Sequence, residues 1–137
     1  MSCGAACARQ ILLDVGIDIP ESRIRDLAGF DPTLGISSES LKGVLNELHP
    51  GACYEGGTIF PEYLNSLASK APFLVMLRMP FGRHMVIVDK IADELVYIRD
   101  PWGIPEADST IGMEGIMELS SFHERWQRTV NKAVYRR

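Results

Sequence analysis

The apolar pattern of this 137-residue chain changes period once, near residue 72, and that change constrains the fold more than any other feature. Before it, apolar residues recur at helical spacing. Cys7, Ile11, Leu12 and Val15 fall close to one face of a helix that starts after Ser2 and stops near Gly16. Ile24 and Leu27 mark the inner side of a second helix, Glu21–Ala28, closed by Gly29. Leu41, Val44, Leu45 and Leu48 form the stripe of a third, Ser38–Leu48, capped by Ser37 or Ser38. A short strand is expected at Ala52-Cys53-Tyr54-Glu55, and a short helix from Phe60-Pro61-Glu62 to Ser69. After it the spacing is that of strands. Phe73-Leu74-Val75-Met76-Leu77 is an apolar run suited to a buried strand. His84-Met85-Val86-Ile87-Val88-Asp89 is a second strand and Glu94-Leu95-Val96-Tyr97-Ile98-Arg99 a third, with Asp93-Glu94 suited to the hairpin turn between them. Asp100-Pro101-Trp102-Gly103 breaks the sheet, residues 104–115 read as loop, and residues 116–119 fit neither period. A last helix over 122–127, capped by Ser120 or Ser121, precedes a final strand over 130–134. Helices first and antiparallel strands afterwards predict an α+β fold with the helices packed on one side of the sheet.

The length fits a single domain spanning residues 1–137, and its 46% hydrophobic and 23% charged content is that of a globular protein. The net charge of −4 with no basic stripe argues against nucleic acid as a partner. No apolar run approaches the length of a membrane span, and no charged-then-apolar leader is present, so a cytoplasmic protein is expected. Three cysteines make no disulfide framework. Cys3 and Cys7 lie four apart, but no second ligand pair sits at finger-like spacing, so neither a metal nor a cofactor is expected. The first helix begins at once, so the chain reads as a domain excised from a longer polypeptide, with Met1 an added start.

The first helix also carries the chemistry. With Ser2 as N-cap, Cys3 sits in the first turn, where free backbone N–H groups and the helix dipole favour a thiolate. Gly4, Ala5 and Ala6 let that helix start pack tightly while the sulfur stays accessible. A thiol nucleophile needs a base, and the base an orienting group. His84 opens a strand directly after a turn, and Asp100 ends the strand that pairs with it, so the two are cross-strand neighbours near the open end of the hairpin. Asp89 is the alternative orienter, at the far end of the same strand as His84. His49 and His123 have no acid in a comparable place. Each residue also has a plain structural reading: Cys3 as a small apolar residue, His84 as a strand-end hydrogen bonder, Asp100-Pro101 as a strand-to-turn signal. Cys7 and Cys53 read as core thiols.

Cys3-Gly4-Ala5-Ala6-Cys7, His84-Met85-Val86-Ile87-Val88 and Asp100-Pro101-Trp102-Gly103, in that order, resemble the motifs of the bacteriocin-processing (double-glycine leader) peptidases. These are papain-like cysteine peptidases found at the N-terminus of peptide-exporting ABC transporters. Leu27-Ala28, Gly35-Ile36-Ser37 with Leu41, Pro72-Phe73-Leu74-Val75, and Phe122 with Trp126 extend the likeness over nearly the whole chain. The resemblance implies a papain-like fold, catalytic Cys3, His84 and Asp100, and cleavage after Gly-Gly in a protein or peptide substrate. A narrow groove would admit only glycine next to the cut, with Trp102, Gly4 and Phe81 as its substrate-binding residues. The family's oxyanion-hole glutamine, a few residues before the cysteine, has no counterpart, because only Met1 and Ser2 stand there. The Cys3 N–H is then the one donor, and losing the other costs on the order of 100- to 1000-fold in rate. Gln10, two turns down the helix, is a poor substitute. No transporter domain follows, so the chain is also similar to papain-fold toxin domains of bacterial effectors, which act in a target-cell cytoplasm and are neutralised by a cognate immunity protein. Two rivals stand beside the peptidase: a glutamine deamidase or acyl transferase on the same fold, and a catalytically silent peptide-binding domain.

Overall fold

The computed structural model describes residues 3–29, 35–101, 109–111 and 114–137. Along these the chain forms α1 (Cys3–Asp14), α2 (Glu21–Ala28), α3 (Ser38–Leu48), β1 (Tyr54–Thr58), a 3-10 turn (Pro61–Tyr63) running into α4 (Leu64–Ala68), β2 (Phe73–Met79), β3 (Gly82–Ala92), β4 (Leu95–Arg99), β5 (Ser109–Ile111), β6 (Glu114–Glu118), α5 (Leu119–Gln127) and β7 (Lys132–Arg136). The seven described strands make one antiparallel sheet in the order β1-β7-β2-β3-β4-β6-β5. None of the described helices is long and apolar enough to cross a membrane.

The α+β class expected from the sequence is the one observed, but the helices do not all lie on one side. α1, α2 and α3 cover one face, where Leu74, Met85, Ile87 and Val134 meet Ala5, Cys7, Ile11, Leu12, Leu41 and Leu45. α4 and α5 cover the other, where Phe73, Val75, Leu77, Val86, Val88 and Ile98 meet Leu64, Leu67, Phe122 and Trp126. The reason is visible in β2. Successive strand residues point to opposite faces, and Phe73, Leu74, Val75 and Leu77 are all buried, so both faces need a cover.

Local signals set most boundaries. Ser37 caps α3, its hydroxyl accepting from the Ser40 N–H at 3.1 Å. Gly29 closes α2 with φ of 67°, a left-handed conformation that glycine adopts without cost. Three boundaries differ from expectation. Val15 is exposed, because α1 stops at Asp14 before the stripe reaches it. Residues 109–111 and 114–118, expected as loop or left ambiguous, are β5 and β6, the latter paired along all of β4 from Leu95↔Glu118 to Arg99↔Glu114. α5 starts at Leu119 with no side-chain cap, and β7 starts at Lys132, because Val130 and Asn131 form a left-handed turn with φ of 53° and 55°.

Candidate active site

The site forms where the first turn of α1 meets the first half of β3. α1 approaches closely because the buried residues of its first half are all small: Gly4, Ala5, Ala6, Cys7 and Ala8. A Cβ on Gly4 would meet Ile36 Cβ at 3.6 Å, Met85 Sδ at 3.8 Å and Leu41 Cδ2 at 3.9 Å. Gly4 therefore faces the core, and only its backbone is left for a substrate.

β3 is eleven residues long but β4 is five, and their ladder runs only from Ala92↔Leu95 to Ile87↔Arg99. Among the described residues no strand pairs with the start of β3 on that side, and α1 docks there. The Met85 N–H donates to Cys3 Sγ at 3.4 Å, and Cys7 Sγ–H donates to the Met85 carbonyl at 3.2 Å.

His84, one residue earlier on β3, is buried, and its Nε2 is hydrogen-bonded to the buried carboxylate of Asp100. Continuing the ladder by one step places Asp100 opposite Val86, so His84 is its diagonal neighbour rather than its direct partner. With Nε2 held by Asp100, Nδ1 is the nitrogen left for the Cys3 thiol, with which His84 shares a hydrogen bond. The structure thus brings Cys3, His84 and Asp100 together in that order.

The electrostatics follow from this line. Burial alone pushes the Cys3 thiol up, but the His84 hydrogen bond, the Met85 N–H, the His84 charge and the Gly4 N–H outweigh it and leave its pKa lowered. Burial pushes the His84 imidazole down, and its hydrogen bonds and charge pairing with Asp100 and Cys3 reverse this, raising it to about 9. Both shifts favour a thiolate–imidazolium pair. Cys7, one turn along α1, is driven the other way: burial, then the charges of Asp100 and Cys3, push its pKa well up, so it stays a neutral thiol.

The other sequence candidates fall elsewhere. Phe81, exposed at the tip of the β2–β3 hairpin, sets its ring edge-on to His84 with centroids 5.3 Å apart. Trp102, Met1 and Ser2 lie outside the described residues. Asp89 is taken by Arg99 through bonds of 2.6 and 2.9 Å and does not orient His84. Gln10 is engaged with Asp14 at 3.2 Å, away from the site. His49 contacts Tyr54 Oη at 3.0 Å. Among the described residues no cluster of His, Cys, Asp or Glu could hold a metal ion.

Two features escaped the sequence reading. Arg99 bonds Asp14 at 2.7 and 3.2 Å as well as Asp89, clamping the end of α1 to β3 and β4 next to Asp100. Its signal was a lone arginine ending an apolar strand beside the proposed carboxylate. The second is the pair of thiols on Met85, signalled by the spacing of four between Cys3 and Cys7.

A buried histidine between a carboxylate and a helix-start thiol, on an antiparallel sheet, is the arrangement that thiol chemistry requires. The chain belongs to the peptidase C39 family, which residues 1–131 match. Solved structures share the fold. One is the peptidase domain of Streptococcus ComA, a bifunctional ABC transporter involved in quorum sensing, at 18% identity and TM-score 0.73, covering 98% of this chain and 90% of that one. Another is a double-glycine-motif protease from an AMS/PCAT transporter in complex with its leader peptide, at 17% identity and TM-score 0.70, covering 98% and 84%. A third is the N-terminal C39-like domain of a toxin secretion ATP-binding protein from Vibrio parahaemolyticus, at 11% identity and TM-score 0.58, covering 100% and 98%. No curated protein sequence matches the chain.

Proposed function

We propose that this protein cleaves peptide bonds after a double glycine, with Cys3 as nucleophile, His84 as acid and base, and Asp100 as the group that orients His84. The observation that carries this reading is the buried His84 held by Asp100 and sharing a hydrogen bond with a thiol of lowered pKa. The Cys3 thiolate attacks the carbonyl carbon, forming a C–S bond and an oxyanion supported by the Cys3 N–H. The His84 imidazolium gives its proton to the leaving amine as the C–N bond breaks. His84 then takes a proton from water, whose oxygen attacks the thioester and returns the thiol. Phe81 stands against His84 and would form one wall of a substrate groove, with the backbone at Gly4 opposite it. That geometry favours a residue without a side chain next to the cut. A neighbour of this fold bound to a leader peptide supports a peptide as substrate.

The test is a set of synthetic peptides containing Gly-Gly, followed by mass spectrometry. Scission after the second glycine, lost in Cys3→Ala and in Gly-Ala peptides, is the expected result. A mass change without scission would replace this reading by the deamidase or acyl transferase. Binding without any reaction would leave a peptide-binding domain. The setting we propose with it is a toxin domain delivered into a target bacterial cytoplasm and held by an immunity protein. Bacteria producing the active protein alone then stop growing, and Cys3→Ala relieves the arrest. Normal growth with active enzyme removes that setting and leaves the peptidase.

A further inference from the structure

Met85 lies at the point where the sheet loses its pairing partner. Extending the β3–β4 ladder two steps past Ile87↔Arg99 brings Pro101 opposite Met85. Proline has no N–H to give, so the Met85 carbonyl has no ladder donor on that side. Met85 is 1% exposed, so water does not supply one either. In an antiparallel sheet the N–H and C=O of one residue point to the same side. Both groups of Met85 therefore face α1, and each meets a cysteine. The carbonyl accepts from Cys7 Sγ–H at 3.2 Å, and the N–H donates to Cys3 Sγ at 3.4 Å. Leaving a buried peptide group without a partner is costly; the two groups belong to successive peptide units joined at the Met85 Cα, so the two sulfurs together fix the backbone on both sides of Met85.

We propose that Cys7 is a positioning residue for the nucleophile: its S–H holds the Met85 carbonyl and so keeps the Met85 N–H aimed at the Cys3 sulfur. This rests on the reading of Cys3 as a nucleophile. The division of labour between the two thiols needs opposite protonation states, and their surroundings provide them. Cys3 is faced by His84 from β3, with Asp100 behind it, and by the N–H groups of Met85 and Gly4. Cys7 is faced by Asp100, Cys3, Arg99 and, from α2, Glu21, and is fully buried. The first thiol gives up its proton and accepts; the second keeps its proton and donates.

The experiment follows iodoacetamide alkylation of Cys3 against pH in the whole chain, resolved by peptide mass spectrometry so that Cys7 and Cys53 do not contribute. The variants are Cys7→Ala, Cys7→Ser and His84→Ala, each checked for folding by circular dichroism. Alanine and serine are close in size and both neutral, and differ in the donor. Cys7→Ala is expected to raise the Cys3 midpoint by about half to one pH unit, and Cys7→Ser to bring it back toward the wild-type value. Should Cys7→Ala not fold, Cys7→Val fills the space without a donor and takes its place. An unmoved midpoint in Cys7→Ala with a raised one in His84→Ala overturns the positioning role and leaves the Cys3–His84 couple standing. Equal shifts in Cys7→Ala and Cys7→Ser also overturn it, because packing alone would explain them. A midpoint that His84→Ala does not move overturns the peptidase reading itself.

Discussion

The two faces of the sheet are built from different side chains, and the difference separates chemistry from support. Where the start of α1 meets β3 the contact is made by Gly4, Ala5, Ala6, Cys7 and Ala8, so helix backbone and strand backbone come within reach of a single sulfur atom. On the α5 face the contact is made by Phe122 and Trp126 against Phe73, Val75 and Leu77, which hold helix and sheet a full side chain apart. Large residues bury the most apolar surface and stabilise most. Small ones bury little and give precise spacing. Both faces carry a hydrophobic core, and Cys3 stands where the small residues bring α1 onto β3.

The widest gap between the faces should appear in activity. Cys3→Ala is expected to abolish turnover, by about 10⁴-fold or more, with little change in thermal stability. An equal loss from any conservative change on the α5 face would break the comparison. The pH profile belongs to the same site. Activity rises as Cys3 loses its proton, at a pKa lowered from 9.0, and falls again through about 9 as the His84 imidazolium loses its own. Stability follows the same groups with a definite sign. The His84 contribution is complete below about 6.5 and is lost as pH rises through about 9. The Cys3 contribution is present above 9.0 and is lost as pH falls through its lowered value. In His84→Ala the loss of stability as pH rises through about 9 should disappear from denaturant melts, and a loss that survives would assign it to another group.

Trp126→Ala is the counterpart on the α5 face. Trp126 is fully buried, stacks near Phe122 and donates its indole N–H to the Lys132 carbonyl at 3.0 Å. Its loss should cost about 3–5 kcal/mol, read by denaturant melts, while the Cys3 alkylation midpoint stays where it was. A shifted midpoint would mean that the two faces are coupled.

How much of this was legible in the sequence follows the same division. The helices of the α1 face are contiguous in the chain and periodic, and their caps are local, so Ser37 and Gly29 could be read directly. His84 and Asp100 were legible because a hairpin turn fixes register over a short distance. β6 was not, because its alternation is disguised: the inward positions are Gly115 and Met117, and an apolar residue, Ile116, points outward. The placing of β7 between β1 and β2 joins segments far apart in sequence, and no local signal encodes it. The bond between Met85 and the thiols depends on β4 ending early, which is a property of two elements at once.

A matched pair of smaller changes sharpens the comparison. Ala5 on the α1 face and Ala133 on the α5 face are both buried to within 1%. Replacing either by leucine overfills its core at a cost of about 1–3 kcal/mol. Only Ala5→Leu pushes α1 off β3, so only it should raise the Cys3 alkylation midpoint. Equal midpoints in the two variants would show that the sulfur's position does not depend on the small residues of α1.

The smallest effect expected is a gain. Val130 lies between α5 and β7 with φ of 53° and is 60% exposed. A β-branched residue in the left-handed region crowds its own backbone. Its side chain gains little burial there, so the crowding is not offset. Val130→Gly removes the clash at the expense of a more flexible unfolded chain, and the balance should favour the folded state by about 0.5–1 kcal/mol. The turn sets the entry of β7, which pairs with β2 through Leu74↔Val134 and Val75↔Ala133 and does not touch the start of β3. The melting temperature should therefore rise by roughly 2–5 °C with the pH dependence of Cys3 alkylation unchanged. A rise in stability that also moved the thiol would place the turn in communication with the site and end the separation of the two faces.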